Sequence, residues 1–159
     1  MAETGAVMSK NSKSVLVKNM VWVAISTAIY YAFGYGLAFG RQGKGEVLIL
    51  GNSNFFGVFD KDAPHHRHWS FSFTFAAINA VIVCGSMSER NKLTIYFILT
   101  VVMSGLVYPT LVAAAWNNGI LFQIGYQDFA GAGIVHLSAG IAGLIGASAS
   151  GPRKNRFKD

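Results

Sequence analysis

Charge is what this sequence has least of. Asp, Glu, Lys and Arg make up 13% of its 159 residues, while 52% are hydrophobic and the mean hydropathy is +0.40. A soluble domain carries about 25% charged residues, so the deficit argues for an integral membrane protein. Cysteine occurs once, as Cys84 inside an apolar run, which excludes a disulfide framework within one chain and reads as a small buried side chain. Proline is scarce as well. Pro109 lies inside an apolar run, where it removes one backbone donor and predicts a kink or helix end near Tyr108. Acidic residues number 7 against 13 Lys and Arg, a net charge of +6. The basic residues fall in short clusters between apolar runs, which reflects membrane topology and not nucleic-acid binding. Residues 1–18 lack the hydrophobic core of a signal peptide, so the first span is expected to act as its own insertion signal.

What is abundant is uncharged length. Residues 19–40 run 22 positions without a charge and residues 68–88 run 21. Two further apolar stretches cover 93–116 and 128–150. About 20 such residues cross a bilayer as a helix. The expected architecture is an all-α, multi-pass membrane protein with four spans, an extracytoplasmic loop at 41–67 and a basic tail at 151–159. Trp22 and Tyr35, near opposite ends of the first span, suit interfacial anchoring. The Gly36–Gly40 pair and the row Ala139, Gly143, Ala147 are signals for close helix packing. The loop piece Val47–Phe59 is partly apolar, too short to span, and reads as interfacial or re-entrant.

Four spans put both termini on one side. That side carries nine Lys and Arg and the other four. The positive-inside rule makes both termini cytoplasmic.

One titratable residue interrupts the last apolar stretch. His136 lies eight residues past Asp128, roughly 12 Å along a helix rising about 1.5 Å per residue. That depth is close to the middle of a hydrocarbon core about 30 Å thick. Ionisable groups there usually line a path or face protein. Ala132 and Gly140 flank the histidine at four-residue steps, so a packed span with one hydrogen-bonded His is the plainer alternative. Asp128 suits a helix start, where it meets free amides and the positive dipole end. Phe71 and Phe75 share a helix face, and Trp116 closes the third run; all three lie at the same membrane side as Asp128. Aromatic faces attract cations by roughly 0.5–2 kcal/mol each, although an interfacial belt uses the same residues. His65, His66 and His68 could ligate a metal but lack a partnering set at a defined spacing.

These residues carry a resemblance. Asp128–His136, DFAGAGIVH, is similar to the D-F-A-G-G-x-V-V-H motif of the ammonium transporter (Amt/Rh/MEP) family. Ser88-Glu89-Arg90 resembles its A-E-R turn, and Phe71–Ala76 its F-Q-x-x-F-A. Tyr108-Pro109 with Trp116 resembles its Y-x-P…W region, one place early at the proline. Gly34–Gly40 resembles the end of its second span, Gly151–Phe157 its G-x-R loop, and Glu3–Asn11 the turn after its first span. The matches run through nearly the whole chain.

The resemblance implies a fold of eleven spans in two inverted repeats, assembled as a homotrimer with a pore in each subunit, in the plasma membrane. It implies ammonium or ammonia as substrate, transport without an enzymatic step, and no cofactor. Trp116 and Phe75 would line an outer recruitment site, with Phe71 just outside it. Asp128 would shape that site without touching the ion. His136 would be the first of two stacked pore histidines. The chain corresponds to spans two to five, without the first span, the second pore histidine and the remaining spans. Two further readings follow from that: a truncated, non-transporting or regulatory membrane subunit, and an unrelated four-span protein holding a metal or haem.

Overall fold

A computed structural model of the chain describes residues 2–40, 50–58 and 65–153. Four of its helices are long and apolar enough to cross a membrane: Ser9–Phe39, Arg67–Ser86, Leu93–Gln123 and Ala132–Ser150. In lipid each charge-free run has to satisfy its own backbone, which only a helix does within one segment. The described residues contain no strand. The expected all-helical, four-span architecture is what the chain adopts. The α-helical part of the first span begins at Ser12 and takes in Lys13 and Lys18.

Three spans contain one wide turn each, in which the amide bonds five residues back. These are Tyr30–Gly34, Met103–Val107 and Ala132–Leu137. Such turns free carbonyls from the helical ladder and often mark functional sites. The first two face each other. The Tyr30 and Tyr108 rings lie 5.8 Å apart, and a Cβ on Gly34 would come within 2.7 Å of the Ser104 carbonyl oxygen. Of the expected kink or helix end near Tyr108, the end does not occur, because helix continues from Tyr108 to Ala115. The wide turn just before Tyr108 absorbs the missing amide.

The packing departs from expectation in two places. Trp22 and Tyr35 do not anchor the chain at the interfaces: both are buried, Trp22 stacked on Tyr96 at 6.0 Å and Tyr35 edge-on to Tyr30 at 6.2 Å. The Gly36–Gly40 pair receives the loop and not another helix. Phe55 fills the space over Gly36, and the Gly51 amide donates to the Leu37 carbonyl at 2.7 Å. The small-residue row of the last span does meet a helix. Ala139 is buried, and Ser86 Oγ of the second span donates to the Gly143 carbonyl at 3.2 Å. Residues 41–49 and 59–64 of the loop, and the tail beyond Arg153, lie outside the described residues.

Glu89 joins both ends of the chain at one face. It adopts φ 66°, a left-handed conformation costly for a side chain of its kind. Its carboxylate accepts from Asn11 Nδ2 at 2.5 Å and the Met8 amide at 3.2 Å, and pairs with Arg153 at 2.5 Å. The Asn11 bond, foremost, holds this carboxyl below its ordinary value.

Gly34→Ala should force the first and third spans apart, because the backbone of Ser104 cannot swing away. The expected loss is about 1–3 kcal/mol, typical of an overpacked core, seen as a lower thermal midpoint in detergent. Gly140→Ala, with nothing within 4 Å of its Cβ, should leave that midpoint unchanged.

Candidate functional site

The site is built on the segment between the third and fourth spans. Helix does not begin at Asp128; it begins at Ala132, and Asp128 reaches forward to hold it. Oδ1 accepts the amides of Gly131 at 2.8 Å and Ala132 at 2.9 Å, and Oδ2 those of Gly133 and Ile134, each at 2.8 Å. Four donors at a helix start have no partner inside the helix, and one carboxylate takes all four. Gly131 sits at φ 85°, a conformation that favours glycine, to bring its amide round. Partial burial pushes the Asp128 carboxyl upward, but the four amide bonds outweigh it and hold the group below its ordinary value.

The same residue fixes the aromatic group. The Trp116 indole Nε1 donates to the Asp128 carbonyl at 2.7 Å. The Trp116 ring meets Phe75 edge-on at 5.9 Å, and Phe75 meets Phe71 edge-on at 5.1 Å. Phe71 is 64% exposed, while Phe75 and Trp116 are half-buried against the upper core with Ile134 and Val135. Phe71, Phe75, Trp116 and Asp128 therefore form one connected row. A cavity of about 260 Å³ adjoins it, between Trp116, Tyr126, Asp128 and Phe129.

His136 joins this row through the backbone. Its amide donates to the Gly131 carbonyl at 3.1 Å, the wide-turn bond itself. Its neighbours Ile134, Val135 and Ala139 are buried, but His136 and Gly140 lie on the exposed side of the span. Sequence reasoning missed Asn79. This fully buried side chain of the second span donates to the Val135 carbonyl and to Ser138 Oγ, both at 2.9 Å. It takes up a carbonyl at the wide turn, one residue before His136. An amide in the middle of an apolar run was the available signal, since buried amides in lipid need a partner.

No group of three or more His, Cys, Asp or Glu able to hold a metal occurs among the described residues. Of the loop histidines, the His68 side chain meets Tyr35 Oη at 3.1 Å and Phe39 edge-on at 4.4 Å.

The sequence model of the Ammonium Transporter Family matches residues 1–159. The chain belongs to the ammonium transporter family. It is 38% identical to Ammonium transporter 3 of Dictyostelium discoideum over 158 residues, covering 99% of this chain and 36% of that protein. It is 36% identical to Ammonium transporter 1 member 4 of Arabidopsis thaliana, covering 96% and 32%. Among solved structures, Sensor Amt Protein superposes with a TM-score of 0.89 at 30% identity, covering 98% of this chain and 40% of that one. The chain thus spans about a third of the length of the curated ammonium transporters it matches.

Asp128→Ala should leave four amides without partners and let Trp116 loosen. Leaving buried donors unpaired costs about 1–3 kcal/mol, so the thermal midpoint should fall and indole emission shift to the red; no change in either contradicts the capping role. Because the folded carboxyl is depressed, its contribution is complete above the unfolded value of about 3.9 and is lost as pH falls through the lower folded value. This group should therefore leave stability flat from about pH 6 to 8.

Proposed function

We propose that this segment forms the outer recruitment site and the first half of the conduction path of an ammonium transporter. The observation that carries the reading is His136. An imidazole in the first turns of an apolar span is turned to an uncovered face with Leu137 and Gly140, while Ile134, Val135 and Ala139 on the other side of the span are buried. Carrying a bare ammonium ion through hydrocarbon is prohibitive on solvation alone. Trp116 and Phe75 offer aromatic faces to the cation at the mouth, with Phe71 in front of them. The ion gives up its proton there, neutral ammonia passes His136, and the proton moves separately. A neutral imidazole offers both a donor and an acceptor to ammonia. Asp128 shapes the mouth and leaves the ion to the aromatics, since its lone pairs are committed to four amides. The face carrying Lys10, Lys13, Lys18, Arg90, Lys92 and Arg153 is cytoplasmic, the membrane is the plasma membrane, and the working assembly is a homotrimer of complete pores.

The exposed position of His136 also supports a second reading for the chain on its own: membrane-bound but non-transporting. Among the described residues nothing closes a path around His136.

Expressed alone in cells lacking their own ammonium transporters, the 159-residue chain should not restore growth on low ammonium; robust rescue contradicts the second reading. Transplanted in place of the matching segment of the Dictyostelium relative, the wild-type segment should support methylammonium uptake. In that chimera Trp116→Leu should raise the apparent KM several-fold, since each aromatic face contributes roughly 0.5–2 kcal/mol to cation binding. Unchanged KM in a well-expressed Trp116→Leu chimera removes the aromatic site.

A further inference from the structure

Asn79 of the second span meets the last span where its helix is not regular. It is fully buried, and its Nδ2 donates to the Val135 carbonyl and to Ser138 Oγ, both at 2.9 Å. Ser138 Oγ in turn donates to the Ile134 carbonyl at 2.5 Å. The two carbonyls before His136 are thus both taken by side chains. In the same stretch the His136 amide reaches back five residues to Gly131, and the Ser138 amide five residues to Gly133. Side-chain donors of this kind offer the backbone an alternative to the four-residue ladder. The register of the two spans agrees. Asn79 and Ser86 lie seven residues apart on one helix, close to two turns, and so share a face. The carbonyls they meet, those of Val135 and Gly143, lie eight apart. A turn closed five residues back winds in one residue more than a regular turn, and Ala132–Leu137 supplies it. Asn79 Oδ1 has no partner among the described residues. An unmatched buried acceptor is costly. Leucine has a similar shape and leaves no polar atom unmatched, so packing does not account for an amide here.

We propose that Asn79 is a positioning residue for His136. With Ser138 as its relay, its amide holds the wide turn open and so fixes the side of the last span to which the imidazole is turned. Asn79 acts only through the backbone. Without it, the Ile134 and Val135 carbonyls take amides four residues on, and the turn closes to a regular helix. Asp128 pins the amides before the turn, and the contact of Ser86 with Gly143 pins the helix after it. The residues between those two anchors then have to rotate, by up to about 100°, the angle of one residue in a regular helix. His136 is among them. The geometric claim stands on these bonds; its consequence for conduction rests on the reading of His136 given above.

The test is solid-state NMR on the complete chain in phosphatidylcholine bilayers, with two labelling schemes. Carbon-13 at valine carbonyls with nitrogen-15 at histidine amides isolates the Val135–His136 peptide, because His136 alone among the histidines follows a valine. Its carbonyl reports the bond from Asn79. Carbon-13 at glycine carbonyls with nitrogen-15 at alanine amides selects Gly131–Ala132, together with Gly5–Ala6 and Gly146–Ala147 as internal references. The Gly131 carbonyl accepts both the Val135 and the His136 amides, and a regular helix would leave it only the first. In Asn79→Leu the Val135 carbonyl should move upfield as its side-chain donor is lost. The Gly131 carbonyl should move upfield with it as the His136 amide leaves, while the two references stay. Movement of Val135 with Gly131 unmoved overturns the assignment and leaves Asn79 a paired polar group. Ser138→Ala, which deletes one hydroxyl, decides the matter if Asn79→Leu does not fold. There Gly131 should move in the same direction and by less, and an unmoved Gly131 overturns the relay and the assignment with it. In the chimeric transporter, Asn79→Leu should change the charge moved per methylammonium and leave KM, set at the mouth, as it was. A moved Gly131 carbonyl with an unchanged charge ratio supports the positioning and counts against the conduction reading.

Discussion

The site depends on one carboxylate. Asp128 sits at the start of a span whose first amides face a bilayer end, and it accepts four of them. Its own carbonyl takes the Trp116 indole. The consequence runs both ways along the chain. Upstream, the indole is fixed against Phe75; downstream, the turn is held open so that the His136 amide bonds to Gly131 instead of to Ala132. A carboxylate saturated by amides has little left to offer a cation. In the proposed function, recognition at the mouth then falls to the aromatic faces of Trp116 and Phe75.

The wide turns extend the same logic. An ordinary helix at residues 132–137 would rotate the remainder of the last span by a fraction of a turn and exchange which side chains are buried. With the turn in place, Ala139 and Gly143 meet the second span and His136 does not. Asn79 makes the geometry tolerable in lipid by donating to the Val135 carbonyl. The paired wide turns at Tyr30–Gly34 and Met103–Val107 do a related task where the first and third spans cross. Gly34 lets the backbones approach, and helix passes Pro109 unbroken.

Much of this was legible in the residues. Four charge-free runs bounded by basic clusters leave the backbone no alternative to four spanning helices, and membership of the ammonium transporter family follows the motif from Asp128 to His136. The links from Phe71 through Phe75 and Trp116 to Asp128 follow from a four-residue spacing and one capping residue. Other features left no such trace. A period of 3.6 cannot distinguish a bond four residues back from one five back, so the wide turns were invisible. Trp22 and Tyr35 look like interfacial anchors by position, yet each finds an aromatic partner on a neighbouring element and is buried. Gly36 and Gly40 signal close approach but not by what, and a loop bearing Phe55 occupies them. Asn79 needed its partner in three dimensions to be recognised as support for the turn beside His136.

The central claim is that His136 faces the path taken by ammonia after the cation has lost its proton. It is tested most directly by measuring current and labelled methylammonium uptake on the same proteoliposomes. These would contain the chimeric transporter with and without His136→Ala. The account predicts that the substitution changes the charge moved per methylammonium, through blocked flux or a leak of intact cations, in protein that still assembles. An unchanged ratio and an unchanged flux in well-folded His136→Ala would contradict it.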